Sequence, residues 1–236
     1  SVNGAHQVPY KSARLGGVLV DIKEIKFTEP GSKPLVTFSL TDKFGPIDPT
    51  TLNRLRIALT GPNDDFSFYV QEDVLEGLSQ SGTNWTYRFN KAIPNDASGS
   101  YSIGFEGRIT NVPIEGDHNE FEMDDQMQNF IVPIAVTDDE AEKRDMIVDD
   151  TKCENCHSNL SLHGENRHDA NGYCQTCHRA DATDVNRRPA DGEDQSIHFK
   201  YMIHKIHRGE DLARGYVVYG YGNREHDNSH VDYPRD

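Results

Sequence analysis

The chain has 236 residues, 39 of them Asp or Glu and 24 Lys or Arg, which leaves a formal net charge of −15 at pH 7. A surface this anionic is a poor match for nucleic acid, and no apolar run approaches the roughly 20 residues needed to cross a bilayer as a helix. The length suits two modest domains that bury their own cores without disulfide support.

The first 140 residues contain no Cys and only two of the 11 histidines, His6 and His118. They read as β structure. Leu35-Val36-Thr37-Phe38-Ser39-Leu40-Thr41 alternates apolar and polar positions, Leu55 to Thr60 does the same, and Trp85-Thr86-Tyr87-Arg88-Phe89 keeps the period of two. Further strands are predicted at Tyr101 to Phe105 and Phe130 to Val136. Turn signals at Pro30-Gly31, Gly45-Pro46, Gly61-Pro62 and Ser98-Gly99 are spaced as in an antiparallel sandwich. The expected architecture of residues 1–140 is therefore a β sandwich, immunoglobulin-like or a Greek-key split barrel. Two acidic stretches, Asp117 to Asp125 and Asp138 to Asp150, interrupt the pattern and read as solvated, the second as a linker or short polar helix. Their carboxylates could take calcium, although neither shows the regular D-x-D-x-D-G loop.

Beyond residue 150 the texture changes to short helical pieces in polar loops, and an irregular, mostly helical domain is expected over residues 141–236. All four cysteines lie here, in Cys153-Glu154-Asn155-Cys156-His157 and Cys174-Gln175-Thr176-Cys177-His178. Each C-x-x-C-H run reads as a covalent attachment site for one c-type haem. Two thiols one helical turn apart can reach the two vinyl groups of a porphyrin, and the adjacent histidine can then ligate iron from beneath the ring. A four-thiolate zinc ribbon also fits this spacing, but it gains nothing from a histidine after each pair. The clearest predicted helix runs from Ser196 to Arg208, with Asp194 or Ser196 as cap and Gly209 as a left-handed terminator; it carries His204 and His207 on one face.

The supply of distal ligands decides whether such haems are reactive or devoted to moving electrons. Beyond the proximal His157 and His178, the region offers His163, His168, His198, His204, His207, His226 and His230. Bis-histidine ligation is the expectation, with His163, His204 and His207 as candidate distal ligands and the others as ordinary surface or hydrogen-bonding residues. His163 lies too close in sequence to His157 to reach the opposite face of the same ring easily, so it is assigned to the second haem and the helix bearing His204 and His207 to the first. Between Cys156 and Cys174 lie only 17 residues, which predicts two porphyrins close enough to exchange electrons.

Around these motifs the chain resembles the OmcA/MtrC family of multihaem cytochromes. The resemblance rests on the first C-x-x-C-H followed by Leu162-His163-Gly164, Arg167, the second C-x-x-C-H, Met202-Ile203-His204-Lys205-Ile206-His207-Arg208-Gly209, and Tyr219-Gly220-Tyr221-Gly222-Asn223. It implies a β domain ahead of the haem module, and extracellular or outer-membrane electron delivery to metal ions, minerals or flavin shuttles, with other multihaem cytochromes or redox proteins as partners. Family members carry about ten haems, so the resemblance also implies that this chain is an N-terminal portion, with a further motif expected soon after Tyr233-Pro234-Arg235-Asp236.

The function expected is that of a dihaem electron carrier without a substrate pocket, exported because covalent haem attachment occurs outside the bacterial cytoplasm, and located at the cell surface or in the periplasm. Two alternatives stand beside it. One is a multihaem reductase of a small oxyanion, which needs an open iron and acid–base residues; the other is a fragment whose β domain is a docking module for a basic partner.

Overall fold

The computed structural model describes residues 15–115, 120–157, 160–164 and 166–232. His6, Asp117, His118 and the terminal Tyr233 to Asp236 lie outside the described residues. By internal contacts the chain divides into two compact units, the first running to Tyr173 and the second beginning at Cys174.

The first unit is built on two five-stranded antiparallel sheets. One has β1 (Leu19–Lys26), β2 (Leu35–Asp42), β7 (Asn84–Arg88) and β6 (Ser79–Ser81) in that order, with β3 (Gly45–Ile47) also pairing β2. The other has β10 (Phe130–Ala135), β8 (Ser100–Glu115), β4 (Arg54–Gly61) and β5 (Phe68–Asp73), with β9 (Glu120–Gln126) pairing the far end of β8. This is the strand order of immunoglobulin-type sandwiches, which place the first, second, fifth and fourth main strands on one sheet and the third, sixth and seventh on the other.

Alternation creates the core. Val36, Phe38 and Leu40 of β2 meet Leu55, Ile57 and Leu59 of β4 and Tyr101, Ile103 and Phe105 of β8 in one buried cluster, and the Phe38 and Phe105 rings lie 5.0 Å apart. The predicted strands at 35–41, 55–60, 85–89, 101–105 and 130–136 all fall on observed ones. The acidic stretch that was expected to interrupt the strands is instead partly β9, paired with the far end of β8, and its Asp125 is buried, accepting from the Gly16 and Gly17 N–H groups at 2.9 and 3.0 Å. The second acidic stretch has no regular structure before residue 150.

An antiparallel sheet packed on one side leaves its other face to solvent, and on β8 and β4 that face carries Ser102, Gly104, Glu106, Arg108, Arg54 and Arg56. Yet Ser102 and Glu106 are fully buried: Ser102 Oγ donates to Asn63 Oδ1 at 2.8 Å, and Glu106 is covered by Arg167, still within the first unit.

Helix is sparse after residue 150. Among the described residues α-helix there is confined to α1 (Asp150–Glu154), α2 (Tyr173–Cys177) and α3 (Phe199–His207), with a small hairpin of β11 (Val217–Tyr219) and β12 (Glu225–Asp227). The region is irregular, as expected, but less helical than expected: two of the three helices are single turns at the cysteine motifs, too short to stand without tertiary support. The cap of α3 also differs. Its N-cap is His198, with no side-chain cap bond, while Ser196 Oγ accepts from the His198 N–H at 3.2 Å. Gly209 does not terminate the helix in a left-handed conformation; it opens a 3₁₀ turn, Gly209–Asp211. A side chain is excluded there by space, since a Cβ would fall 2.0 Å from the Asn228 carbonyl oxygen.

Candidate functional site

The first C-x-x-C-H motif grows from α1. Asp149 caps it, its carboxylate accepting from the Thr151 N–H at 3.1 Å. The turn continues through the motif: the N–H groups of Cys156 and His157 donate to the Cys153 carbonyl at 3.2 and 2.9 Å. This spaces the two thiols by one turn, with Cys153 half-buried and Cys156 and His157 exposed. Burial, followed by the nearby Asp150 and Asp149 carboxylates, pushes the Cys153 thiol above its ordinary range, so it stays protonated at neutral pH. Among the described residues no disulfide is formed, and the donor set of two reduced thiols and an adjacent imidazole fits haem c.

The chain then crosses the polar face of the second sheet in a tight loop. Leu162 and Arg167 pair across its neck, Leu162 N–H to Arg167 carbonyl at 2.9 Å and Arg167 N–H to Leu162 carbonyl at 3.2 Å. At the tip, His163 and Gly164 have φ of +58° and +70°. For a non-glycine residue the left-handed conformation costs about 1–2 kcal/mol, and it persists only where the surroundings over-determine it. Here the Asn166 amide donates to the His163 carbonyl at 2.8 Å and Arg108 Nη1 to the Gly164 carbonyl at 2.7 Å. Arg167 Nε donates to the Glu106 carboxylate at 2.5 Å. Arg54 Nε reaches the same carboxylate at 2.9 Å. Burial by itself would raise the Glu106 carboxyl, but the bonds and charges of Arg167 and Arg54 outweigh it and hold the group below the usual carboxylate range.

Past the neck, His168 and Asn129 bind reciprocally. The Asn129 N–H donates to His168 Nε2 at 3.0 Å and the His168 N–H to Asn129 Oδ1 at 2.9 Å. Burial lowers the His168 imidazole, against the opposing Asp169 and Glu154 charges, and with Nε2 accepting, its proton resides on Nδ1. The crossing ends at Tyr173, a fully buried residue whose ring lies so close to Gly104 that a Cβ there would be 2.9 Å from it. Its hydroxyl accepts from Gln71 at 3.0 Å.

In the second unit the motif Cys174 to His178 occupies α2 and its end, with the His178 N–H bonded to the Cys174 carbonyl at 3.1 Å and both cysteines half-buried. His178 Nδ1 lies 2.8 Å from the Ile197 carbonyl. A carbonyl can only accept, so Nδ1 carries the proton and Nε2 keeps its lone pair. The same arrangement recurs twice on α3, with His204 Nδ1 2.8 Å from the Lys200 carbonyl and His207 Nδ1 2.8 Å from that of Ile203. A backbone partner on Nδ1 is the usual means of orienting a metal-binding imidazole. His168 has the opposite arrangement, its Nε2 being taken by Asn129. His198 stacks edge-on to Tyr201 at 5.3 Å, and His226 and His230 are exposed.

A ladder joins α2 to α3: Ile197 N–H to Ala182 carbonyl at 2.8 Å, Asp184 N–H to Gln195 carbonyl at 3.1 Å, and Phe199 N–H to His178 carbonyl at 2.9 Å. Its hub is the fully buried Asp184, which accepts from Arg188 Nη2 at 2.8 Å, the Gln195 N–H at 2.8 Å and the Tyr219 N–H at 2.9 Å. Among the described residues no group of three or more His, Cys, Asp or Glu side chains is placed to hold a metal ion directly, and no helix is long and apolar enough to cross a membrane.

The structure adds Glu106, Arg54, Arg108 and Asn129 to the residues singled out in the sequence. The one sequence signal for them was glycine on both sides of an acid in a strand, Gly104 and Gly107 about Glu106, since strand glycine marks close approach of another segment.

The chain thus joins a β domain to two C-x-x-C-H motifs, the residue pattern that holds c-type haem. Residues 145–235 match the family model described as outer membrane cytochrome MtrC/MtrF-like, domains II/IV. The crystal structure of MtrC from Shewanella baltica OS185 shares the fold, with a TM-score of 0.51 and 19% identity over 83% of this chain and 33% of that one. The likeness to that family thus lies in residues 145–235, and the likeness to the solved structure is one of fold. The chain spans about a third of the length of that solved structure. No curated protein matches it.

Proposed function

We propose that the chain is a two-haem electron-transfer segment of an extracellular or outer-membrane cytochrome, comprising an immunoglobulin-like β domain over residues 1–140 and a haem-bearing domain over 141–236. Cys153 and Cys156 hold one haem c and Cys174 and Cys177 the other; His157 and His178 are the proximal ligands, and His163, His204 and His207 supply the distal positions. When bound, haem c supplies a one-electron iron couple. The protein's part is to orient imidazoles on both sides of each iron, so that electrons pass without a substrate pocket.

The observation that carries this reading is the Nδ1-to-carbonyl bonding of His178, His204 and His207, which puts the ring proton on Nδ1 and makes Nε2 the unprotonated nitrogen in each. The family match over 145–235 adds the redox context, and with it the expectation of an exported protein whose partners are other multihaem cytochromes and whose acceptors are metal ions, minerals or flavins. The test is replacement of His163, His204 and His207 by Ala one at a time in the holoprotein. A high-spin absorption and paramagnetic resonance signal should appear in at least two of the three variants; three low-spin variants would defeat the ligand assignment.

A further inference from the structure

We propose that Glu106, a residue of the sandwich, is the positioning residue for His163: its buried ion pair with Arg167 clamps the loop neck and so holds that imidazole where it can ligate iron. The inference rests on the reading of His163 as an axial ligand.

Four observations converge on it. Glu106 is fully buried on the sheet face opposite the core, in a strand where the same face otherwise shows small or polar residues. It receives two guanidinium groups, Arg54 from the neighbouring strand and Arg167 from the loop. Arg167 is the residue that closes the loop neck against Leu162. His163, immediately after Leu162, has the left-handed backbone that needs outside support. The second tether, Arg108 to the Gly164 carbonyl, comes from the next position on the same face of β8 and is itself paired with Asp124 at 3.0 Å.

Arg54 reaches only Oε1 of the buried carboxylate, and Arg167 Nε takes Oε2. The second guanidinium has a different effect: it ties a loop to the sheet 61 residues away in sequence. Replacing the Arg167 side chain keeps the backbone bonds of the neck and the Arg54 bond to Glu106 but cuts the tie between neck and sheet, so the loop that carries His163 is loosened from the sandwich. Axial ligation of a haem on a loop of this kind requires the imidazole to be held against its own rotational freedom, and the clamp supplies that restraint.

The experiment compares the full-chain holoproteins Arg167→Gln, Arg167→Lys, Glu106→Gln and His163→Ala by oxidised-state paramagnetic resonance and visible spectra at pH 7. In Arg167→Gln the high-spin fraction should rise about tenfold over the parent protein, a change of about 1.4 kcal/mol in the ligation equilibrium. Arg167→Lys, which keeps one charge-assisted bond, should recover most of the low-spin signal, and added imidazole should restore low spin in Arg167→Gln and His163→Ala alike. Glu106→Gln should follow Arg167→Gln; should it fail to fold, Arg167→Gln decides alone. A high-spin His163→Ala beside an unchanged Arg167→Gln overturns the positioning role and leaves the ligand reading intact. A fully low-spin His163→Ala overturns the ligand reading and the inference with it.

Discussion

The contact between Tyr173 and Gly104 is the point at which docking of residues 160–173 on the sheet can be measured directly. The ring is fully buried, and an aromatic side chain buries about 150–250 Å². At about 25 cal/mol/Å² this amounts to roughly 4–6 kcal/mol as an upper bound, so Tyr173→Ala should destabilise by about 3–5 kcal/mol. Gly104→Ala inserts a Cβ 2.9 Å from both the ring and the Phe130 carbonyl oxygen, an overpacking that costs about 1–3 kcal/mol. In the double variant the clash with the ring is gone and the clash with the carbonyl remains. The two changes should therefore sum to more than the double variant loses, with a coupling of about 1 kcal/mol. Guanidinium unfolding of the full chain, followed by circular dichroism of the sheets, gives all four corners of the cycle. Additivity to within about 0.3–0.5 kcal/mol would show that the ring does not rest on Gly104 and that the polar face is open.

Asp184→Asn should destabilise the second unit by about 3–5 kcal/mol at pH 7, since it strips the partner from an Arg188 side chain that is itself only 12% exposed. Burial favours the protonated Asp184, but the bonds from Arg188, Gln195 and Tyr219 prevail and hold the carboxyl below its ordinary range. Its contribution is thus complete above about pH 4 and is lost as pH falls through the folded-state value; acid titration of stability should show a shallower loss in the variant than in the parent. Gly209→Ala places a Cβ 2.0 Å from the Asn228 oxygen and 2.8 Å from the Val231 nitrogen. Backbone on both sides leaves no side chain to yield, so amide exchange over the end of α3 and residues 228–231 should accelerate, by an amount matching about 1–3 kcal/mol of overpacking.

What could be read from the sequence was whatever local chemistry dictates. β2, β4 and β7 announced themselves because one face is core and the other is not, and the cysteine motifs did so because thioether attachment fixes the spacing of adjacent residues. β1 escaped notice because a register shift between Ile22 and Glu24 breaks its alternation, and β6 because all three of its residues are exposed. β9 was masked by its carboxylates, one of which, Asp125, is buried because backbone N–H groups of Gly16 and Gly17 satisfy it. The docking of the inter-motif loop was invisible for another reason: its bonds join residues 39, 61 and 102 positions apart, and Glu106 in an alternating strand reads as an ordinary solvent-facing acid until Arg167 is found above it. Likewise, the sequence set His204 apart from His168 as a candidate ligand but offered no bonding reason for it. The distinction lies in which ring nitrogen the backbone occupies, and only the folded chain supplies that.

The account depends most on haem c being joined to both motifs. Intact mass of the purified chain, taken with a pyridine haemochrome spectrum on the same sample, measures this in one step. The expected result is the polypeptide mass plus two haems, with a haemochrome typical of two thioether links per ring and two haems per chain. A colourless protein of unmodified mass, or one that carries zinc on its four thiols, would contradict it.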